Sequence, residues 1–133
     1  MNIIKGRVEK LHFDHELSHI EISSPIGTIH SVVLEDITNK AGFLKEGTLV
    51  ACFFSETSPM ITKEPITCIN TFEGVVKDLD MGKVLCRVHL EVKQVPLRVL
   101  LLREQAQIME IFPNKKVFLF LPPWYMALEV AYE

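Results

Sequence analysis

Apolar and polar residues alternate along several short stretches, and the alternation is that of β-strands. His19-Ile20-Glu21-Ile22 alternates cleanly, and Arg87-Val88-His89-Leu90-Glu91-Val92 does so over a longer run. Arg7–Phe13 alternates imperfectly, because Val8 is out of step with Leu11 and Phe13. Asp80-Met81-Gly82-Lys83 is a turn signal between two strands. The continuous apolar runs Val32-Val33-Leu34 and Val99-Leu100-Leu101-Leu102 predict strands buried on both faces. Good helix formers fill Arg103 to Ile111, with Leu102, Ala106 and Met109 spaced to share one face of a short helix. Pro113-Asn114 ends that helix, and Gly47 ends its first-half equivalent. A last strand, Val117 to Leu121, runs into Pro122-Pro123.

These elements occur twice. Gly6, Val8 and Leu11 fall on Gly74, Val76 and Leu79 at an offset of 68 residues. The same offset carries Ile20 and Ile22 onto Val88 and Leu90, and Ile29, Val32, Val33 and Leu34 onto Leu97, Leu100, Leu101 and Leu102. After one deletion the offset is 67, and Gly47-Thr48-Leu49-Val50 meets Asn114-Lys115-Lys116-Val117. The polar, proline-containing Thr62-Lys63-Glu64-Pro65 joins the halves, so two domains are expected, 1–64 and 65–133. Each half, roughly 65 residues of four or five strands and a short helix, closes most easily as a small OB-type barrel. The predicted class is all-β, with one short helix per repeat and two small barrels in tandem.

Composition narrows the function. The 133 residues are 48% hydrophobic and 23% charged, enough to bury a core. A net charge of −3 argues against nucleic acid, whose partners usually carry a basic face. Phe53, Phe54, Phe118 and Phe120 are the aromatics such a role would need, but Phe118 and Phe120 alternate as one face of the closing strand and are expected in the core. No apolar run reaches a membrane span and no signal peptide is seen, so the expected location is cytoplasmic. Cys52, Cys68 and Cys86 lack Cys-x-x-Cys spacing and sit beside apolar residues, which predicts buried, reduced thiols. No Gly-rich phosphate loop, Gly-x-Ser-x-Gly or His-Glu-x-x-His occurs, and no enzymatic activity is expected.

The order of pieces resembles a known family. Asn2-Ile3-Ile4-Lys5-Gly6 and Asn70-Thr71-Phe72-Glu73-Gly74 match the Asn-x-x-x-Gly that opens the first strand of the molybdate-binding Mop or TOBE (transport-associated OB) domain. Leu44-Lys45-Glu46-Gly47 matches its Leu-x-x-Gly turn, and Ile111-Phe112-Pro113-Asn114 matches it with Asn for Gly. The chain as a whole resembles the tandem di-Mop proteins. The resemblance implies binding of molybdate or tungstate, with no organic cofactor, for intracellular storage, buffering or sensing linked to molybdenum transport. It implies a homo-oligomer, and as a further partner a molybdate transport or regulatory protein.

The same resemblance nominates the oxyanion ligands. A tetrahedral dianion needs fixed N–H and O–H donors and a nearby cation. Thr67, Asn70, Asn2, Thr38, Ser55 and Thr57 are the candidate donors, and Lys5, Lys63 and Arg103 the candidate charges. The scaffold is kept better than the ligands: Ile69 stands where the family has Arg, Leu102 where it has a hydroxyl, and Glu56 at a position where its charge would repel an anion. The alternative is an interaction or regulatory module of the same fold with a degenerate site.

Two other segments carry chemistry. His12, His15 and His19, with Asp14 and Glu16, are residue types that a transition metal takes. Their second-half counterparts Asp80, Lys83 and Arg87 are simply polar, so the segment reads as a solvated hairpin end and no metal is expected. Pro122-Pro123-Trp124-Tyr125-Met126 is apolar and aromatic, and is either tucked over a barrel end or used at an interface, the favoured expectation.

Overall fold

The computed structural model describes residues 1–34 and 44–132. β1 (Asn2–Asp14), β2 (Leu17–Ser24) and β3 (Gly27–Leu34) form an antiparallel meander, followed by β4 (Leu49–Phe54) and β5 (Met60–Thr62). β6 (Thr71–Met81), β7 (Leu85–Val92) and β8 (Val95–Leu102) repeat the meander. Helix α1 (Arg103–Ile108), β9 (Lys116–Phe120), a 3-10 turn (Pro123–Tyr125) and β10 (Ala127–Val130) follow. The strands build two five-stranded sheets, ordered β10-β4-β1-β2-β3 and β5-β9-β6-β7-β8. The class is mostly β, as the alternation predicts. The first-half helix expected before Gly47 lies outside the described residues.

The repeat is exact in register. Leu17 faces Leu34 and Ser24 faces Gly27; 68 residues on, Leu85 faces Leu102 and Val92 faces Val95. A β-bulge between Val8 and Lys10 recurs between Val76 and Asp78. The bulge inserts one residue and flips the faces beyond it, which is why Val8 is out of step with Leu11. At both bulges the valine gives both of its main-chain groups to the segment before the closing strand. The Val8 N–H donates to the Thr48 carbonyl at 2.9 Å and its carbonyl accepts from the Gly47 N–H at 2.8 Å. The Val76 N–H donates to Lys115 at 2.9 Å and its carbonyl accepts from Asn114 at 2.8 Å. Gly47 and Asn114 hold φ of 88° and 72°. Asn is the side chain that tolerates this left-handed geometry best, which is how it replaces Gly in the second turn.

The chain forms two compact units. One is Met1–Asn2 with Ser55–Leu121; the other is Ile3–Phe54 with the chain from Pro122 on. The last strand of each repeat therefore serves the other repeat's sheet: β5 pairs with β9, and β10 with β4. The repeat boundary at 64/65 and the compact units divide the chain differently. The cores are the inward rows Ile20, Ile22, Ile29 and Val50 in one unit, and Val76, Val88, Leu90, Val99 and Leu119 in the other.

Four local expectations are corrected. The runs in β3 and β8 are not buried on both faces: Val99 is buried, but Val32, Val33, Leu100 and Leu101 are half-buried, and Leu34 is 75% and Leu102 58% exposed. Val117 and Leu119 make the core row of β9, so Phe118 and Phe120 fall on its other face, half-buried. The helix is shorter than the run of helix formers, and packs through Ala106 with Met109 just past its end, while Leu102 stays exposed. Cys52 and Cys86 are buried, but Cys68 is exposed in the irregular segment before β6.

The close approach of β1 to β2 generates a prediction. A Cβ on Gly6 would stand 2.5 Å from the Ser23 carbonyl oxygen and 2.6 Å from Ile22 Cγ2, whereas one on Gly74 would meet nothing nearer than 3.2 Å. Gly6→Ala is expected to destabilise the protein by about 1–3 kcal/mol, as overpacking does, and Gly74→Ala by clearly less. Urea unfolding of the two variants checks this; equal losses would contradict it.

Candidate functional site

The first oxyanion candidates to place are the two asparagines that open the repeats. Asn2 is buried, and its amide brackets one residue of β8: Nδ2 donates to the Arg98 carbonyl at 2.8 Å, and Oδ1 accepts from the Arg98 N–H at 2.9 Å. Asn70 is buried at φ 58°; Nδ2 donates to the Leu121 carbonyl at 2.9 Å, and the Leu121 N–H donates to the Asn70 carbonyl. Both amides hold backbone, so the Asn-x-x-x-Gly pattern is built into the scaffold.

The hydroxyls and cations are more open. Ser55 and Thr57 are exposed and bring their hydroxyls together at 3.1 Å on the loop after β4. Thr67 and Lys63 are exposed on the segment between β5 and β6, and Lys5 is exposed on β1. Arg103, at the start of α1, donates to the Gly82 carbonyl at 3.0 Å and lines an open surface depression with Lys83, Val84, Leu102, Glu104 and Gln107. Thr38 lies outside the described residues. Ser55 with Thr57 is the one pair of these side chains joined by a hydrogen bond among the described residues.

Glu56 sits between that pair in sequence, and its surroundings are cationic. Its carboxylate accepts from Arg87 Nε at 2.7 Å and lies 3.5 Å from the N-terminal ammonium. Its main-chain carbonyl accepts from the Leu100 N–H at 2.8 Å. Burial pushes its pKa up, but the Arg87 bond, with the charges of Arg87, Arg98 and the N-terminus, outweighs that and holds it below the ordinary 4.5. The expectation that Glu56 repels an anion omits these partners. Arg87 and Arg98 were readable in the sequence as cations, but only the strand register puts them beside the loop.

The histidines regroup. His15 is at the hairpin tip with φ 57°, 93% exposed and 2.7 Å from Asp14, which agrees with a solvated turn. His12 and His19 instead face each other across β1 and β2 and join Glu21 and His30. His12 Nε2 is 3.0 Å from Glu21 Oε2, and His19 Nε2 is 2.8 Å from His30 Nδ1. The His12 bond, against a smaller effect of burial, lowers the Glu21 pKa. Burial lowers that of His30, with Glu21 opposing and the charges of His19 and His12 adding to it. The turn at Ser24–Gly27 was the available signal, since it sets Glu21 opposite His30.

The cysteines offer no activated nucleophile in the cores. Burial pushes the Cys52 thiol up to about 12, and burial with the Asp80 charge raises that of Cys86, so neither is a thiolate at neutral pH. In the unit containing β1–β4, Trp124 and Met126 line an open apolar depression with Leu17, Val32, Leu34 and Leu128. Trp124 is 67% exposed and Met126 only 8%. No helix among the described residues is long and apolar enough to cross a membrane.

The Glu56 contacts give a pH prediction. A carboxyl whose pKa is lowered by folding adds stability above its unfolded pKa, and that stability is lost as pH falls through the lowered folded value. Glu56→Gln is expected to cost about 1 kcal/mol at neutral pH and to flatten the loss of stability on acidification below about pH 4.5. Urea unfolding across that range checks it; parallel pH profiles for both proteins would contradict it.

No protein-family model matches the sequence, and no curated protein matches it. The structure is similar to a crystal structure of the cytoplasmic molybdate-binding protein ModG with molybdate bound, at TM-score 0.88 and 18% identity, over 98% of this chain and 96% of that one. The fold expected from the Mop/TOBE resemblance is met: this chain adopts the ModG fold over nearly its whole length.

Proposed function

We propose that the protein is a non-enzymatic cytoplasmic binder of molybdate or tungstate, serving storage, buffering or sensing linked to molybdenum transport. The observation that carries this reading is the end-to-end likeness to ModG, a molybdate-binding protein, in a chain whose sequence repeats the Mop pattern twice. The proposed donors are Thr67, Ser55, Thr57 and Thr38, with charge from Lys5, Lys63 and Arg103. Asn2 and Asn70 complete the proposed set, with their amides bonded to the backbone of Arg98 and Leu121. Molybdate and sulfate carry equal charge but differ in size, so fixed donors can separate them.

Titration calorimetry tests the reading. Molybdate and tungstate are expected to bind and sulfate far more weakly. Thr67→Val, which removes one hydroxyl to a charged ligand, is expected to cost about 1.5–3 kcal/mol, or roughly ten- to a hundredfold in affinity. No heat with either ion, or binding that ignores ion identity and fades in modest salt, would refute it. Tight binding that Thr67→Val leaves unchanged would keep the function and overturn the residue assignment.

One observation favours a second reading, an interaction or regulatory module without a working site. The Glu56 carboxylate already occupies Arg87 and approaches the N-terminal ammonium, two of the cations an oxyanion would seek. Glu56→Gln separates the readings: a rise in molybdate affinity would mark Glu56 as an internal competitor at a live site, and silence with every ion would favour the module.

The proposal includes self-association and, as partner, a molybdate transport or regulatory protein. Trp124 and Leu34, 67% and 75% exposed beside one apolar depression, support an interface between copies. Light scattering is expected to give a mass above 15.2 kDa that falls in Trp124→Ala. A monomer mass at all concentrations would refute the interface.

A further inference from the structure

The outer face of β1–β2–β3 carries a cluster that oxyanion binding does not use. His19 and Glu21 are two residues apart on β2 and therefore point to the same side, away from Ile20 and Ile22, which are fully buried. The register sets His12 on β1 opposite His19, and His30 on β3 opposite Glu21. Four side chains with metal-ligating atoms thus occupy adjoining positions on three neighbouring strands. One ligand atom from each of His19, Glu21 and His30 lies within 4.8 Å of the others, and all three residues are half-buried. The imidazoles of His19 and His30 are stacked at 5.1 Å, with Nε2 of one 2.8 Å from Nδ1 of the other.

From this geometry we propose that His19, Glu21 and His30 form a binding site for a divalent transition metal of the zinc class, with His12 positioning the Glu21 carboxylate. Two imidazoles and a carboxylate are a recurrent ligand set for such ions, and leave coordination positions open to water. Two nitrogens bonded to one tetrahedral zinc stand roughly 3.3 Å apart, so the His19–His30 pair has to open by about half an ångström, within reach of side-chain rotation. The metal takes the place of the proton that the two rings share. The His12 bond to Glu21 holds the carboxylate against the cluster, as an outer partner does for a metal-binding carboxylate.

The second repeat supplies the internal comparison. Its matching positions are Asp80, Arg87, His89 and Arg98. There the carboxylate–imidazole pair survives with its members exchanged, His89 Nε2 to Asp80 at 2.7 Å, while both partner imidazoles are arginines. An arginine is cationic at any working pH and cannot ligate a metal. The same sheet face therefore keeps four ligating side chains in one repeat and two in the other, and the fold accepts Arg at the His30 position.

Zinc titration of the untagged, chelator-stripped protein by calorimetry, paired with the visible spectrum of the Co2+ form, tests the site. One equivalent of zinc per chain is expected. His19→Gln and His30→Arg are each expected to weaken binding on the order of a hundredfold or abolish it, His12→Ala by about tenfold, and His15→Ala not at all. The Co2+ spectrum of the unaltered protein is expected to show the bands of imidazole coordination, which holds even if a variant misfolds. Zinc affinity unchanged by His19→Gln and His30→Arg, no heat at zinc concentrations up to about 100 μM, or the spectrum of fully hydrated Co2+ would each overturn the proposal.

Discussion

The backbone of one valine in each repeat sets the architecture. Val8 and Val76 sit at a bulge, where a strand stops matching one neighbour and turns both of its main-chain groups to the segment before β4 or β9. A bulge bends its strand and increases the local twist. One long strand can then pair with the meander on one side and with the closing strand on the other. The requirement propagates outward: a left-handed residue at Gly47 and Asn114, and a missing side chain at Gly6 where β1 presses on β2. The spacing of these glycines and the asparagine is the trace that this closure leaves in the sequence.

That trace is why the fold was legible. Period-two alternation and a constant offset identify the strands, and the offset reproduces the register residue for residue, down to the bulge. What stayed hidden depends on contacts far apart in sequence. Nothing in Met60–Thr62 or Ala127–Val130 states which sheet each strand joins, and the pairing of β10 with β4 spans more than half the chain. Phe118 and Phe120 alternate as well as Val117 and Leu119, so the pattern marks two faces without saying which is inner. Leu34 and Leu102 read as core because apolar runs usually are, yet each is the last residue of its strand and stands exposed.

The candidate site was legible to a lesser degree for the same reason. Asn2 and Asn70 were found as a pattern, but the backbone partners of their amides, Arg98 and Leu121, lie far away in sequence. Glu56 was singled out by its charge, while its partners Arg87 and the N-terminus come from other parts of the chain. Three of the four clustered metal-ligating side chains have charged or titratable counterparts in the other repeat that make ordinary ion pairs. Charge placement on a common scaffold, more than the scaffold itself, is what distinguishes the two repeats.

The central claim is that this scaffold holds a tetrahedral oxyanion on the hydroxyls and cations that flank its strands. Crystals grown with tungstate and measured at the tungsten absorption edge test it most directly, because the anomalous signal locates the ion without assumptions about its ligands. The account predicts anomalous peaks within hydrogen-bonding distance of the Thr67 hydroxyl or the Ser55–Thr57 pair, with a cationic side chain alongside. A map without tungsten, or with peaks only at lattice contacts remote from those residues, would contradict it.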